Sequence, residues 1–198
     1  MGRSPGAILN PKIIVTVFAI MFLAELGDKT QLVLLTLGAR HDLKATFLGA
    51  ISAFFLLNVM AVAVGTFFYE LIPARVLHVI AGALLILFGL LSFRPEGQGA
   101  GRKEPGIEKV HKPFLRSFSL ITLMELGDKT QLSLLALTAR YRAPFAVFTG
   151  ATAALWLSAF LAVFLGSWLA RFVSVEKMRL VTGVVFIVFG IALILGLA

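Results

Sequence analysis

The chain has 198 residues, 59% of them hydrophobic and only 14% charged, with a net charge of +8. Soluble domains carry roughly 25% charged residues. A compact soluble fold, a disordered chain, a coiled coil and a collagen-like chain are therefore excluded, and a mean hydropathy of +0.97 makes lipid the main solvent. There is no cysteine, which removes thiol catalysis, iron–sulfur clusters and thiolate zinc sites. The basic residues collect at the ends of apolar runs, the pattern of membrane orientation rather than of nucleic-acid binding.

In chain order, the stretch from Met1 to Leu23 resembles a signal sequence, a few positive charges and then an apolar run. It shows no obvious small-residue cleavage site and runs into Glu25, so it reads as a retained first span. A helical span needs about 20 mostly apolar residues. Four runs free of charge meet or approach that length, Ala45–Tyr69, Val76–Phe93, Ala143–Ala170 and Leu180–Ala198. Two more, Ile13–Ala39 and Ser117–Ala139, are apolar except for one charged cluster each. Pro11, Pro73 and Pro113 fall just before spans and Pro95 just after one, where proline is tolerated. The expected fold is an all-α integral membrane protein of six transmembrane helices. A basic linker over 94–116, rich in Gly and Pro, divides it into a first three-helix unit (1–100) and a second (101–198).

The two units are copies. Glu25-Leu-Gly-Asp-Lys-Thr-Gln-Leu32 recurs without change as Glu125–Leu132, and over the sixteen residues to Arg40 and Arg140 thirteen are identical. Later spans align at an offset of 101: Gly49-Ala50 with Gly150-Ala151, Gly65 with Gly166, and Gly82 and Gly89 with Gly183 and Gly190. This is an internal duplication. Three spans per unit is an odd number, so the second enters the bilayer in the opposite sense. Two inverted three-helix repeats are a transporter architecture with its site at the midplane between the halves. The first, third and fifth loops carry eleven Lys and Arg, the termini and the other loops five. The positive-inside rule then expects both termini outside the cytoplasm and the basic linker within it.

Each copy of the motif places two acids and a lysine near mid-span, where a carboxylate costs a few kcal/mol on insertion scales. On a continuous helix Glu25, Asp28 and Lys29 share one face, and Gln31 extends an oxygen-rich stripe; Glu125, Asp128, Lys129 and Gln131 repeat the set. A structural polar seam would account for a Glu–Lys pair, but small or amide side chains join helices at lower cost. An ion site shared between the halves accounts for the duplicated acids. Four carboxylates and two lysines sum to −2 when all are ionised, which one divalent cation neutralises, and protons can take the same oxygens when the cation leaves. Carboxylate and amide oxygens suit hard ions such as Ca2+, Mn2+ and Mg2+. Gly27 and Gly127 admit two readings, helix packing or local unwinding at a hinge. The glycine pairs 82/89 and 183/190 are seven apart and read as packing faces. Asn58 and Ser158 face either the ion pathway or a neighbouring helix. Trp156 and Trp168 are candidate interface anchors, and loop histidines such as His41 are expected to be solvated.

A duplicated Glu-x-Gly-Asp-Lys-Thr in a six-span chain resembles the family of the Golgi protein Gdt1 and human transmembrane protein 165. The likeness extends over both motifs, the spans and the charged central loop. It implies a secondary transporter, not an enzyme, that exports Mn2+ and Ca2+ from the cytosol in exchange for protons. It implies that Glu25, Asp28, Glu125 and Asp128 bind the cation, with Lys29, Thr30, Gln31, Lys129, Thr130 and Gln131 as accompanying motif residues. No cofactor is implied beyond the transported cation, and the chain is expected as a monomer or homodimer in the lipid bilayer. The chain lacks the long N-terminal extension of the eukaryotic organelle members, which points to a bacterial inner-membrane protein. Competing readings are an exporter of a small organic solute such as an amino acid, an intramembrane aspartyl protease, and a non-transporting interaction protein. For the protease, Leu-Gly-Asp departs from the Gly-x-Gly-Asp pattern.

Overall fold

The structure is a computed structural model that describes residues 10–71, 73–93, 112–169 and 175–196. The start of the chain and most of the expected basic linker, residues 94–111, lie outside the described residues, as does the side chain of Trp168. Eight helices and no strand occur among the described residues: α1 (Pro11–Glu25), α2 (Lys29–Arg40), α3 (Leu43–Leu71), α4 (Ala74–Ser92), α5 (Pro113–Glu125), α6 (Lys129–Tyr141), α7 (Pro144–Leu169) and α8 (Val175–Ile194). Their starts follow local chemistry. Pro11 and Pro113 open α1 and α5, where a missing N–H costs nothing. The Asn10 side chain accepts from Lys12 N at 3.0 Å, and the Asp42 carboxylate accepts from Ala45 N at 2.7 Å ahead of α3.

Eight helices occur among the described residues where six spans are expected. The runs 13–39 and 117–139 are each interrupted, at Leu26–Asp28 and Leu126–Asp128, and become α1/α2 and α5/α6. Among the described residues only Leu43–Phe68 and Pro144–Leu165 are helical stretches long and apolar enough to cross a membrane unbroken; α4 and α8 hold shorter ones, His78–Ser92 and Gly183–Ile194.

Helices of the two halves interleave. The long helix α3 lies against α5 and α6, α7 lies against α1 and α2, and α4 pairs with α8. Small residues permit this close approach. Gly49 meets the Phe114 carbonyl and the Phe118 amide on α5. Its counterpart Gly150 meets the Ile14 carbonyl and the Phe18 amide on α1, where a Cβ would stand 2.6 Å from the Ile14 oxygen. In the α4–α8 pair a Cβ on Gly82 would stand 2.6 Å from Gly190 O, and one on Gly89 2.7 Å from Gly183 O, so the glycine faces serve packing as their spacing predicts. Alanines of α3 and α7 (Ala50, Ala53, Ala151, Ala154) and Val17, Met21 and Ile121 form the core around the two breaks. Large apolar side chains such as Phe67, Phe145, Leu90 and Val188 cover the outside, a surface that water would not tolerate at this extent.

Candidate cation site

The motif's own residues dictate the interruption. Glu25 ends α1, Leu26 turns extended (φ −62°, ψ 123°), and Gly27 takes φ +75°. Asp28 (φ −78°, ψ 166°) then opens α2. The second copy repeats the path through Leu126, Gly127 at φ +76° and Asp128. A left-handed backbone costs an L-residue about 1–2 kcal/mol, and glycine avoids that cost. A Cβ on Gly127 would meet nothing within 4 Å, so packing does not demand glycine there; of the two readings of these glycines, the unwound backbone is the one observed. Glutamine four residues on closes each turn: Gly27 N donates to Gln31 Oε1 at 2.9 Å and Gly127 N to Gln131 Oε1 at 2.6 Å.

The break also corrects the single-face reading. Glu25, Asp28 and Lys29 do not lie along one helix, and the Gln31 and Gln131 oxygens serve the turns rather than an acidic stripe. Each lysine reaches across to the other half. Lys29 Nζ pairs with Asp128 Oδ1 at 3.0 Å and Lys129 Nζ with Asp28 Oδ1 at 2.8 Å. The threonines cross over too, Thr30 donating to Glu125 and Thr130 to Glu25 at 3.2 Å. Glutamate, aspartate, lysine and threonine of each copy thus pair with residues of the other, and the two breaks form one centre.

Within that centre Glu25, Asp28 and Glu125 are buried, and each offers an oxygen within 4.8 Å of the others. Asp128 is not in this close group and remains on Lys29. Glu25 Oε1, Asp28 Oδ2 and Asp128 Oδ2 are buried without a hydrogen-bond partner. Unsatisfied carboxylate oxygens are costly in an apolar bundle, and a hard cation satisfies several of them together. The donor set therefore fits a divalent ion. A cavity of about 10 Å3 adjoins Glu125, lined by Phe54, Leu57, Asn58, Thr130, Gln131 and Leu155.

Other polar residues fall out as follows. Ser158 on α7 accepts from Gln31 Nε2 at 2.8 Å, and Asn58 on α3 donates to Thr152 at 3.1 Å while lining the cavity. Thr152 was not singled out from the sequence; its one signal is a hydroxyl within an apolar run. Trp156 sits mid-helix in α7 and donates to Ile51 O at 3.2 Å. His41 is not merely solvated, since its Nε2 lies 3.3 Å from an Arg116 guanidinium nitrogen.

Paired interrupted helices that bring acids together inside an apolar bundle are the construction of secondary transporters, with the ion site at the breaks. The family model described as divalent cation/proton antiporter GDT1 matches residues 13–100 and 113–197, and the chain belongs to that family. It is similar to the rice GDT1-like protein 2, chloroplastic (30% identical, 90% of this chain and 60% of that one). It is similar also to the Arabidopsis thaliana protein PAM71, chloroplastic (30%, covering 87% and 54%) and GDT1-like protein 3 (26%, covering 88% and 68%). The chain spans little more than half the length of the chloroplast relatives. No solved structure matches it.

Proposed function

We propose that this protein is a secondary transporter that exports Mn2+, Ca2+ or both from the cytoplasm in exchange for protons. The observation that carries the reading is the meeting of Glu25, Asp28 and Glu125 from two homologous helix breaks, with buried oxygens left unpartnered. Glu25, Asp28 and Glu125 hold the cation, and Asp128 joins when Lys29 releases it. Lys29 and Lys129 neutralise the aspartates while no cation is bound. Thr30, Thr130, Gln31 and Gln131 orient the glutamates and the turns. When the cation leaves, protons occupy the same oxygens, because adjacent carboxylates without a cation repel one another. Competition for one set of ligands couples the two fluxes.

In this reading the eight helices make six crossings, the interrupted pairs α1/α2 and α5/α6 each counting once. The halves are inverted repeats, both termini face away from the cytoplasm, and the membrane is a bacterial inner membrane. Gly27 and Gly127 are the hinges about which access alternates. The protein is a transporter rather than an enzyme, which the family description supports, and works as a monomer or homodimer without a further cofactor. The solute-exporter alternative is disfavoured by size, since a cavity of about 10 Å3 holds roughly one water.

The test is flux in proteoliposomes. Under an imposed pH gradient, wild-type protein takes up Mn2+ or Ca2+ against an internal dye, and Glu25→Gln/Glu125→Gln does not. Absence of both fluxes from folded wild-type protein, with the gradient verified, would sink the assignment.

A further inference from the structure

The two copies of the motif are identical, but their surroundings are not. Gln31 uses both ends of its amide: the oxygen holds Gly27 N, and the nitrogen donates to Ser158 on α7 at 2.8 Å. The first break is thereby tied to the long helix beside it. Gln131 likewise holds Gly127 N, but among the described residues no side chain receives its amide nitrogen. At the repeat offset of 101 the counterpart of Ser158 is Leu57. Leu57 has no side-chain acceptor to offer, and it lines the same small cavity as Gln131.

Exposure follows the same asymmetry independently. Leu126 and Gly127 are exposed, whereas Leu26 and Gly27 are half-buried. The Lys29–Asp128 pair is 41% and 21% exposed, against 23% and 4% for Lys129–Asp28. The wall of the site on the Asp128 side is the thinner one.

We propose that Ser158 is a positioning residue: its hydroxyl latches Gln31, and through it the Gly27 turn, to α7, holding the first half of the site closed while the unlatched second half opens to admit the ion. The two access states of a duplicated transporter would be nearly equal in energy if the copies were equivalent. One unmatched hydrogen bond biases them, by about three- to tenfold in population. The role in transport rests on the antiport reading above; the latch does not.

Hydrogen exchange in nanodiscs reads the latch without any flux. The peptides compared must include Val33 or Ser133, which distinguish the two copies. In wild-type protein the amides around Gly127 exchange faster than those around Gly27. Ser158→Ala speeds exchange around Gly27 by about three- to tenfold and leaves the second break unchanged, and Ser158→Thr, which keeps the hydroxyl, restores the wild-type pattern. In proteoliposomes Ser158→Ala changes the ratio of the Mn2+ KM values measured from the two sides, with little change in maximal rate. Equal exchange at the two breaks in wild type, equal acceleration of both in Ser158→Ala, or no rescue by Thr would overturn the proposal. If wild type carries no ion yet the exchange pattern holds, the antiport reading fails and the latch stands.

Discussion

Two cross-pairs of the same chemistry, Lys29–Asp128 and Lys129–Asp28, differ mainly in burial, and burial should decide their worth. Asp28 is 4% exposed, and replacing Lys129 by Gln leaves its charge uncompensated in an apolar bundle. Breaking a buried pair from one side costs about 3–5 kcal/mol. Lys129 retains 23% exposure, which places the expected loss near the lower end, about 3 kcal/mol. Lys29 is 41% exposed and its partner 21%, so Lys29→Gln should cost less than Lys129→Gln. The assay is unfolding by dodecyl sulfate in mixed micelles with chelator present, so that no cation compensates the orphaned acid. Lys129→Gln should unfold at clearly lower detergent fraction than Lys29→Gln. Adding Asp28→Asn to Lys129→Gln should recover at least half of the loss, because the penalty belongs to the unpaired charge. Equal losses in the two single variants, or no recovery in the double, would refute the reasoning.

Glycine substitutions separate strain from contact. Gly127→Ala meets no atom and should cost only its left-handed backbone, about 1–2 kcal/mol. Gly82→Ala drives a Cβ to 2.6 Å from the Gly190 carbonyl and should lower the melting temperature more, since the α4–α8 pair must separate. The proposed proton coupling has a binding signature as well: if Mn2+ takes deprotonated carboxylates, its apparent affinity should fall as pH falls. Calorimetry in buffers of different ionisation enthalpy should count protons released on binding, and Glu25→Gln should reduce that count; zero release across pH 5–8 would contradict competition for shared oxygens.

The acids were legible in the sequence because lipid makes them expensive, and an expense repeated in two identical octapeptides has few physical readings. The helix packing of Gly82, Gly89, Gly183 and Gly190 was legible for a similar reason, their spacing along one helix face. The break at Gly27 was half legible. A glycine within an apolar run is compatible with packing or with unwinding, and local sequence does not distinguish them until φ is known. Treating Ile13–Ala39 as one helix then put Glu25, Asp28 and Lys29 on one face, where the fold turns them toward another copy of themselves.

What the sequence alone determined is therefore the solvent, the duplication and the cast of side chains, because these depend on composition, identity and spacing along the chain. Tertiary structure decided the partners. Lys29 with Asp128, Thr130 with Glu25 and Gln31 with Ser158 are about a hundred residues or more apart in sequence. Those contacts exist because small residues let α3 and α7 lie against the broken helices of the opposite half. The inequality of the halves belongs there too, since Leu57 and Ser158 differ visibly in sequence, but that difference acquires meaning only once each stands beside a glutamine that needs, or lacks, an acceptor.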